Sequence, residues 1–367
     1  MRVALAGALA ALAVFAAGCG GGGDEKTLRL VVGPGYVENG AGDPKADWVT
    51  PFEESTGCRV RTRVAVTTDE LVALLKSGRF DGGAGLSEAV VRLAAAGAIA
   101  PVRPRSEVAE TLRRAPALTW NGRLYGVPQG RGANLLMWRT DVVRPAPRDW
   151  GVVFDAGSSY AGKVTAYDGP MTIADAAVHL RATRSELGIR DPFELDERQF
   201  AAALRLLRAQ REAIGNYWWD YVREQSSFAA GDFVVGTTWR FVAELLEADG
   251  VPVRAMLPRE GSTGWLDAWM VSSHARQPDC MRRWLDWMLT PRVNAQVAEW
   301  LGEAPANPAA CAHTADHGWC SRYHARDEAW FSRVSYWRTP EQDCGDARGA
   351  VCKDWDDWVD AWDEVSD

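Results

Sequence analysis

The chain has 367 residues, with 41 Lys+Arg against 49 Asp+Glu and a formal net charge of −8. That length exceeds what one hydrophobic core usually serves, so two domains of roughly 100–200 residues each are expected. A balance of 47% apolar and 25% charged residues excludes a disordered or collagenous chain, the acidic charge argues against a nucleic-acid partner, and seven Cys are too few for a disulfide-built mini-fold.

Residues 1–18 read as an address rather than as fold. Arg2 precedes an apolar run from Val3 to Ala17, which is shorter than a membrane span of about 20 residues. Small residues, Ala16-Ala17-Gly18, stand directly before Cys19, the pattern of a secretory signal peptide. A Cys in that place is similar to a bacterial lipobox. Cys19 is then the lipidated first residue, and the Gly run Gly20–Gly23 lies in a flexible tether over 19–26. Plain secretion or an uncleaved anchor is the alternative, and Ala16 stands where lipoboxes more often carry Leu. No later segment has a membrane-spanning apolar run.

Leu28–Val32 is a short apolar strand, broken by Gly33-Pro34-Gly35. Val49–Thr56 with Gly57 reads as a helix and its C-cap, and Arg59–Val66 alternates as a second strand. Thr67 and Glu70 have capping-box spacing ahead of Leu71, Leu74 and Leu75. Asp81–Gly85 is a strand-to-loop passage, and Glu88–Ala96 is a helix. This β-α-β-α order implies an α/β fold, with a mostly parallel sheet covered by helices. Tyr125–Pro128 and Ala133–Trp138 look like two strands around a Gly-rich turn. Asp196 caps a helix carrying Phe200, Ala203, Leu204, Leu207 and Ile214 on one face. Phe233–Thr237 is strand-like, and Arg292–Leu301 is a further helix. At the C-terminus Trp355, Trp358, Val359 and Trp362 recur at helical spacing between aspartates, so 346–367 should hold an amphipathic docking helix.

Chemistry-bearing motifs are scarce. The sequence has no G-x-S-x-G elbow, no H-E-x-x-H and no Walker loop. The five His are scattered, none beside a nucleophile and an orienting acid, so an enzyme is not expected and neither is a cofactor. Six Cys remain after Cys19. An even number outside the cytoplasm suggests disulfides. Cys311–Cys320 and Cys344–Cys352 are the natural local pairs, which leaves Cys58 with Cys280, but sequence alone does not choose the connectivity. Cys311, His313, His317 and Cys320 could instead hold zinc. Oxidising export favours the disulfide, and no metal is expected.

Acid beside aromatic is the recurrent feature among 18 Trp. Trp265-Leu266-Asp267 puts Trp265 and Asp267 on one side of an extended chain. Tyr167-Asp168 and Tyr217–Tyr221 repeat the association. A carboxylate and an aromatic face together suit an ammonium ion, through Coulomb attraction and a cation–π contact worth roughly 0.5–2 kcal/mol. Taken singly, each pair also reads as an interface ring beside a solvated acid.

Four stretches carry a resemblance: TPFEESTGCRV (50–60), YGVPQGRGANLLMWRTDVV (125–143), GKVTAYDGPMTIADAA (162–177), and GWLDAWM (264–270) with TPRVNAQVAEWLGEAPAN (290–307). Over essentially the whole mature chain it resembles the substrate-binding lipoproteins of spermidine/putrescine-type ABC transporters, and in particular a Trp-rich branch of them. The resemblance implies a two-lobe clamp of the type II periplasmic-binding-protein fold, mostly parallel sheets with helices on both faces, closing on a ligand and docking on a permease whose ATPase drives import. It places lobe one at 27–135 with 268–345 and lobe two at 136–267. A monomer without an enzymatic activity is expected, and the branch's Cys at the positions of Cys58 and Cys280 supports pairing them.

The resemblance also implies a ligand set. Trp265 and Asp267 match the family's aromatic and amine-binding carboxylate, and Trp239 matches a second pocket Trp. Tyr36, Ser87, Glu88 and Asp168 fall at strand ends and loops that line the family pocket. Glu303 stands where polyamine binders carry Tyr, and Met171 stands where they carry a second acid. Arg131 replaces an aromatic residue. It could repel an ammonium group, pair with Glu88 or Glu303, or grip a ligand carboxylate. The ligand expected is a polyamine, with γ-aminobutyrate or a thiamine-like cation as alternatives.

Overall fold

The protein is described by a computed structural model over residues 26–366, apart from 104–107, 109–111, 113–114 and 156. The leader and Cys19 lie outside the described residues. In chain order the strands begin with β1 Thr27–Val32, β2 Arg59–Val64, β3 Gly82–Leu86, β4 Ile99–Ala100, β5 Thr119–Trp120, β6 Arg123–Leu124, β7 Gly126–Ala133 and β8 Leu135–Arg139. They continue with β9 Val164–Tyr167, β10 Ile214–Trp218, β11 Val235–Thr238, β12 Val253–Met256, β13 Ser262–Ser272, β14 Ala304–Pro305 and β15 Val334–Tyr336.

Two sheets organise two α/β lobes. The larger runs β14-β7-β13-β3-β1-β2, with β4 and β15 also paired to β13; the smaller runs β10-β9-β11-β8-β12. Pairing is parallel where a helix carries the chain across, as in β1–β2, β1–β3 and β9–β10. It is antiparallel where the chain passes between sheets, as in β7–β13 and β8–β11. A single residue, Asn134, separates β7 of one sheet from β8 of the other. The chain returns between β12 and β13, and β13 lies in the larger sheet from Ser262 onward. After β15 it crosses once more to the lobe of the smaller sheet.

Local signals read from the sequence act where they stand. Helix Val49–Thr56 ends on Gly57 at φ 69°, a left-handed C-cap, and Thr67 Oγ1 accepts from the Glu70 N–H to start helix Thr68–Lys76. Asp196 and Gln199 form a reciprocal capping box on helix Glu197–Arg211. The C-terminal helix Trp355–Ser366 buries Trp358 and Trp362 in the core of the smaller-sheet lobe, against Phe193, Phe200 and Tyr217.

Two readings are corrected. Ile214, expected on a face of the helix that Asp196 caps, opens β10, because that helix ends at Arg211. The Gly-rich segment after Tyr125 is not a turn between strands but the interior of β7, which runs unbroken through Gly130 and Gly132. These glycines are there for space. A Cβ at Gly130 would come 2.1 Å from the Glu303 carboxyl carbon, and one at Gly132 would come 2.1 Å from the Trp265 ring. The six cysteines pair as Cys58–Cys280, Cys311–Cys320 and Cys344–Cys352, so the zinc alternative at Cys311 and Cys320 has no free thiolates. Among the described residues no cluster of His, Cys, Asp and Glu could hold a metal ion, and no helix is long and apolar enough to cross a membrane.

Candidate ligand-binding site

Between the lobes lies a cleft of about 900 Å³. It sits beyond the carboxyl ends of β1 and β3, where open α/β sheets usually bind ligands. The loop Gly33–Tyr36 after β1, Leu86 at the end of β3, and Trp265 and Asp267 of β13 form one wall. Trp219, Tyr221, Trp239 and Phe241 form the wall opposite, on the smaller-sheet lobe. Trp300 and Leu301, from the last turn of helix Pro291–Leu301, close one side.

The polar centre is built from three chain segments. Tyr36 Oη donates to Asp267 Oδ1 at 2.6 Å. Asp267 is paired in β13 opposite Gly130 of β7, and the Glu303 carboxyl lies over Gly130. Helix Pro291–Leu301 places Glu303 there. It ends on Gly302 at φ 74°, and the Glu303 N–H still donates to Ala298 O. Trp319 Nε1 donates to Glu303 O at 3.0 Å, fixing the backbone from the other side. Asp267, Glu303 and Tyr36 are all buried.

Among the described residues neither Glu303 oxygen has an N–H or O–H donor; what the carboxyl meets is the carboxyl of Asp267. Burial raises both carboxyls from the ordinary range, and for Glu303 the Asp267 charge pushes further in the same direction. Burial and the Asp267 charge likewise hold the Tyr36 phenol well above its usual value, so it remains a donor.

Around this centre the rings interlock. Trp239 lies 5.2 Å from Trp265, centroid to centroid, and 4.9 Å from Trp218, while Tyr167 packs on Trp218 and Trp239. No Lys, Arg or His is among the described residues lining the cleft. Its other acids are committed. Glu244 accepts from Arg240, Arg322 and Tyr323, and Glu299 accepts from the Ala315 and Asp316 N–H groups.

The structure therefore brings Tyr36, Trp239, Trp265, Asp267 and Glu303 together and leaves four expected residues apart. Ser87 Oγ donates to Trp337 O at 2.6 Å and is wholly buried, holding the β3 end to the segment after β15. Glu88 is buried at the start of helix Glu88–Ala95, its carboxyl raised by burial and eased by Thr68. Asp168 Oδ1 accepts from Trp362 Nε1 at 3.1 Å, which ties it to the C-terminal helix. Arg131, between Gly130 and Gly132, points to the face of β7 away from Glu303 and Trp265. There it pairs with Glu328 at 2.6 Å and lies 3.7 Å over Phe331, so it pairs with neither Glu88 nor Glu303. The sequence reading missed Trp300, Trp319 and Phe241. Trp300 sits inside the WLGEAPAN stretch already singled out, and that proximity was its available signal.

The chain matches the family of bacterial extracellular solute-binding proteins over residues 47–320, and it belongs to that family. It is accordingly a binding protein and not an enzyme. A putrescine/cadaverine-binding protein of Pseudomonas aeruginosa is 23% identical over 288 residues, covering 72% of this chain and 77% of the relative. PotD, a spermidine/putrescine ABC transporter substrate-binding protein of Streptococcus pneumoniae, shares the fold at TM-score 0.71 and 15% identity, over 92% of this chain and 98% of its own. The TpPotD lipoprotein of Treponema pallidum does so at TM-score 0.71 and 19% identity, over 92% and 99% of the two chains.

Proposed function

We propose that this protein is the extracytoplasmic substrate-binding component of an ABC importer, and that it binds a polyamine of the putrescine or spermidine type in the cleft and hands it to the permease. The observation that carries the reading is the charge of the cleft. The Asp267 carboxyl lies at its centre with the buried Glu303 carboxyl behind it, aromatic rings form its walls, and among the described residues no Lys, Arg or His lines it. In this reading an ammonium group sits at Asp267 with Tyr36 and Glu303 behind it, and the methylene chain runs over Trp239, Trp265 and Trp300. Lipidation at Cys19 anchors the chain to the membrane through the tether, and the two lobes close on the ligand.

A zwitterion such as γ-aminobutyrate is the weaker fit. Its carboxylate needs a cationic partner, and Arg131 is committed to Glu328 on the far face of β7. Thermal unfolding of the purified protein with putrescine, cadaverine, spermidine, γ-aminobutyrate and thiamine tests the reading. Ligand at 100 times its Kd stabilises by about 2.7 kcal/mol. Stabilisation by polyamines is the expected result; stabilisation by γ-aminobutyrate alone would overturn the ligand assignment.

A further inference from the structure

The pairing of Asp267 with Glu303 has a chemical consequence. Two carboxyls meet out of water, and among the described residues neither Glu303 oxygen has an N–H or O–H donor. The Tyr36 hydroxyl donates to Asp267, not to Glu303. Two carboxylates cannot face one another in that setting without a cation or a proton between them. The titratable groups facing the pair are Tyr36 from the loop after β1, Asp267 from β13 and Glu303 from the end of helix Pro291–Leu301; β7 contributes only the backbone of Gly130. None of these is basic, and among the described residues no cation faces the pair, so a proton is the countercharge available without ligand.

We propose that Asp267 and Glu303 form a proton-exchanging ammonium subsite: a protonated amine entering the cleft takes the place of the proton the two carboxyls share, and that proton leaves to solvent. The inference rests on the cationic-ligand reading above and adds to it a stoichiometry. The empty pair carries one negative charge and one proton. The occupied pair carries two negative charges around one ammonium ion, with one proton released for each ligand bound. No covalent bond other than the carboxyl O–H breaks. The ammonium N–H groups supply the donors that the Glu303 oxygens lack, so a quaternary ammonium ion, with no N–H, makes a poor substitute.

Affinity then depends on pH in a defined way. Below the pH at which the empty pair gives up its proton, affinity rises about tenfold per pH unit, and above it the dependence flattens. Glu303→Gln places a permanent N–H donor where the shared proton stands, so the hydrogen bond to Asp267 and the local packing survive while the exchange is lost.

The test has two arms. Difference infrared spectroscopy of the ligand-free protein against Glu303→Gln, at neutral pH, should show the carbonyl stretch of a protonated carboxylic acid that the variant lacks. Calorimetric titration with putrescine, in buffers of different ionisation enthalpy, should give close to one proton released per ligand for the wild type and none for Glu303→Gln. Absence of the protonated-acid band overturns the proposal whether or not any ligand binds. Binding of putrescine without proton release overturns it while leaving the polyamine reading in place. A band that is present, with no binding of putrescine, cadaverine or spermidine, overturns both the polyamine reading and the ammonium exchange.

Discussion

Trp239 Nε1 donates to Asn134 Oδ1 at 3.1 Å, so a wall of the cleft is hydrogen-bonded to the one residue that separates the two sheets between β7 and β8. The Asn134 amide donates in turn to Thr263 Oγ1 at 2.9 Å and to Asp175. Thr263 stands near the start of β13, just after the second crossing, and its hydroxyl also accepts from Trp337 Nε1 at 2.9 Å. Ring position in the cleft and backbone position at the crossings are thus one buried network. Asn134→Ala leaves Trp239 Nε1 and Asp175 short of partners and should cost about 1–3 kcal/mol of stability. It should also weaken putrescine binding, because Trp239 loses its tether. A variant that melts early but binds putrescine as tightly as the wild type would disconnect the network from the cleft.

Asp175 gives the network a pH dependence. It is buried at the Thr263 and Asn134 hydrogen bonds, and burial raises its carboxyl to about 7 despite them. The folded state therefore holds a proton that the unfolded state loses near pH 4. Stability falls as pH rises from about 4 to about 7, and the full cost, on the order of 4 kcal/mol, is present above that window. Asp175→Asn removes the charge. In urea titrations its stability relative to wild type should improve steadily from about pH 4 to about pH 7 and then level off. A difference that stays constant across that range would show that Asp175 is not protonated in the folded protein.

Legibility in the sequence followed the range of the interaction. Trp265 and Asp267 could be placed together because strand alternation is local, and helix Val49–Thr56 because its cap is adjacent to it. Asp168 could not be placed, because its partner Trp362 is 194 positions away and comes from a helix docked by its own tryptophans. Arg131 reads as a cleft residue because it holds a family position that carries an aromatic residue, but Gly130 and Gly132 flank it in β7. Flanking residues in a strand face the other way, and the residue that fills the space over Gly130 is Glu303, distant in sequence. The pairing of two acids at the site was invisible for a related reason. Each acid was read against the family position it occupies, and nothing in either stretch says that the two carboxyls touch.

Gly132 tests the aromatic wall without touching a polar group. A Cβ there would lie 2.1 Å from Trp265 Cζ2 and 2.4 Å from Cη2, well inside van der Waals contact, so Gly132→Ala must displace the Trp265 ring. The backbone has room to keep its β conformation, and the overpacking should cost about 1–3 kcal/mol. The larger effect should be on the ligand, since the displaced ring lines the cleft and packs on Trp239. Putrescine affinity should drop at least as far as in Trp265→Ala. Unchanged affinity in a protein that circular dichroism shows to be folded would remove Trp265 from the binding wall.

Arg131 separates structure from ligand recognition. Its guanidinium is 1% exposed, lies 3.7 Å over the Phe331 ring and meets Glu328 in a forked pair, Nη2 at 2.6 Å and Nη1 at 3.3 Å. These contacts tie β7 to the segment 325–336 on the face away from the cleft. Arg131→Met keeps much of the apolar volume and removes the ion pair and the cation–π contact. Glu328 is partly exposed and can turn to water, so the expected loss is about 1–3 kcal/mol rather than the full penalty of an abandoned buried charge. Affinity for putrescine and the proton release on binding should both stay at wild-type values, because neither Asp267 nor Glu303 contacts this side chain. If affinity for putrescine instead collapses in the folded variant, the guanidinium reaches the ligand and the cleft is not free of basic groups, and a ligand carrying a carboxylate becomes the better match.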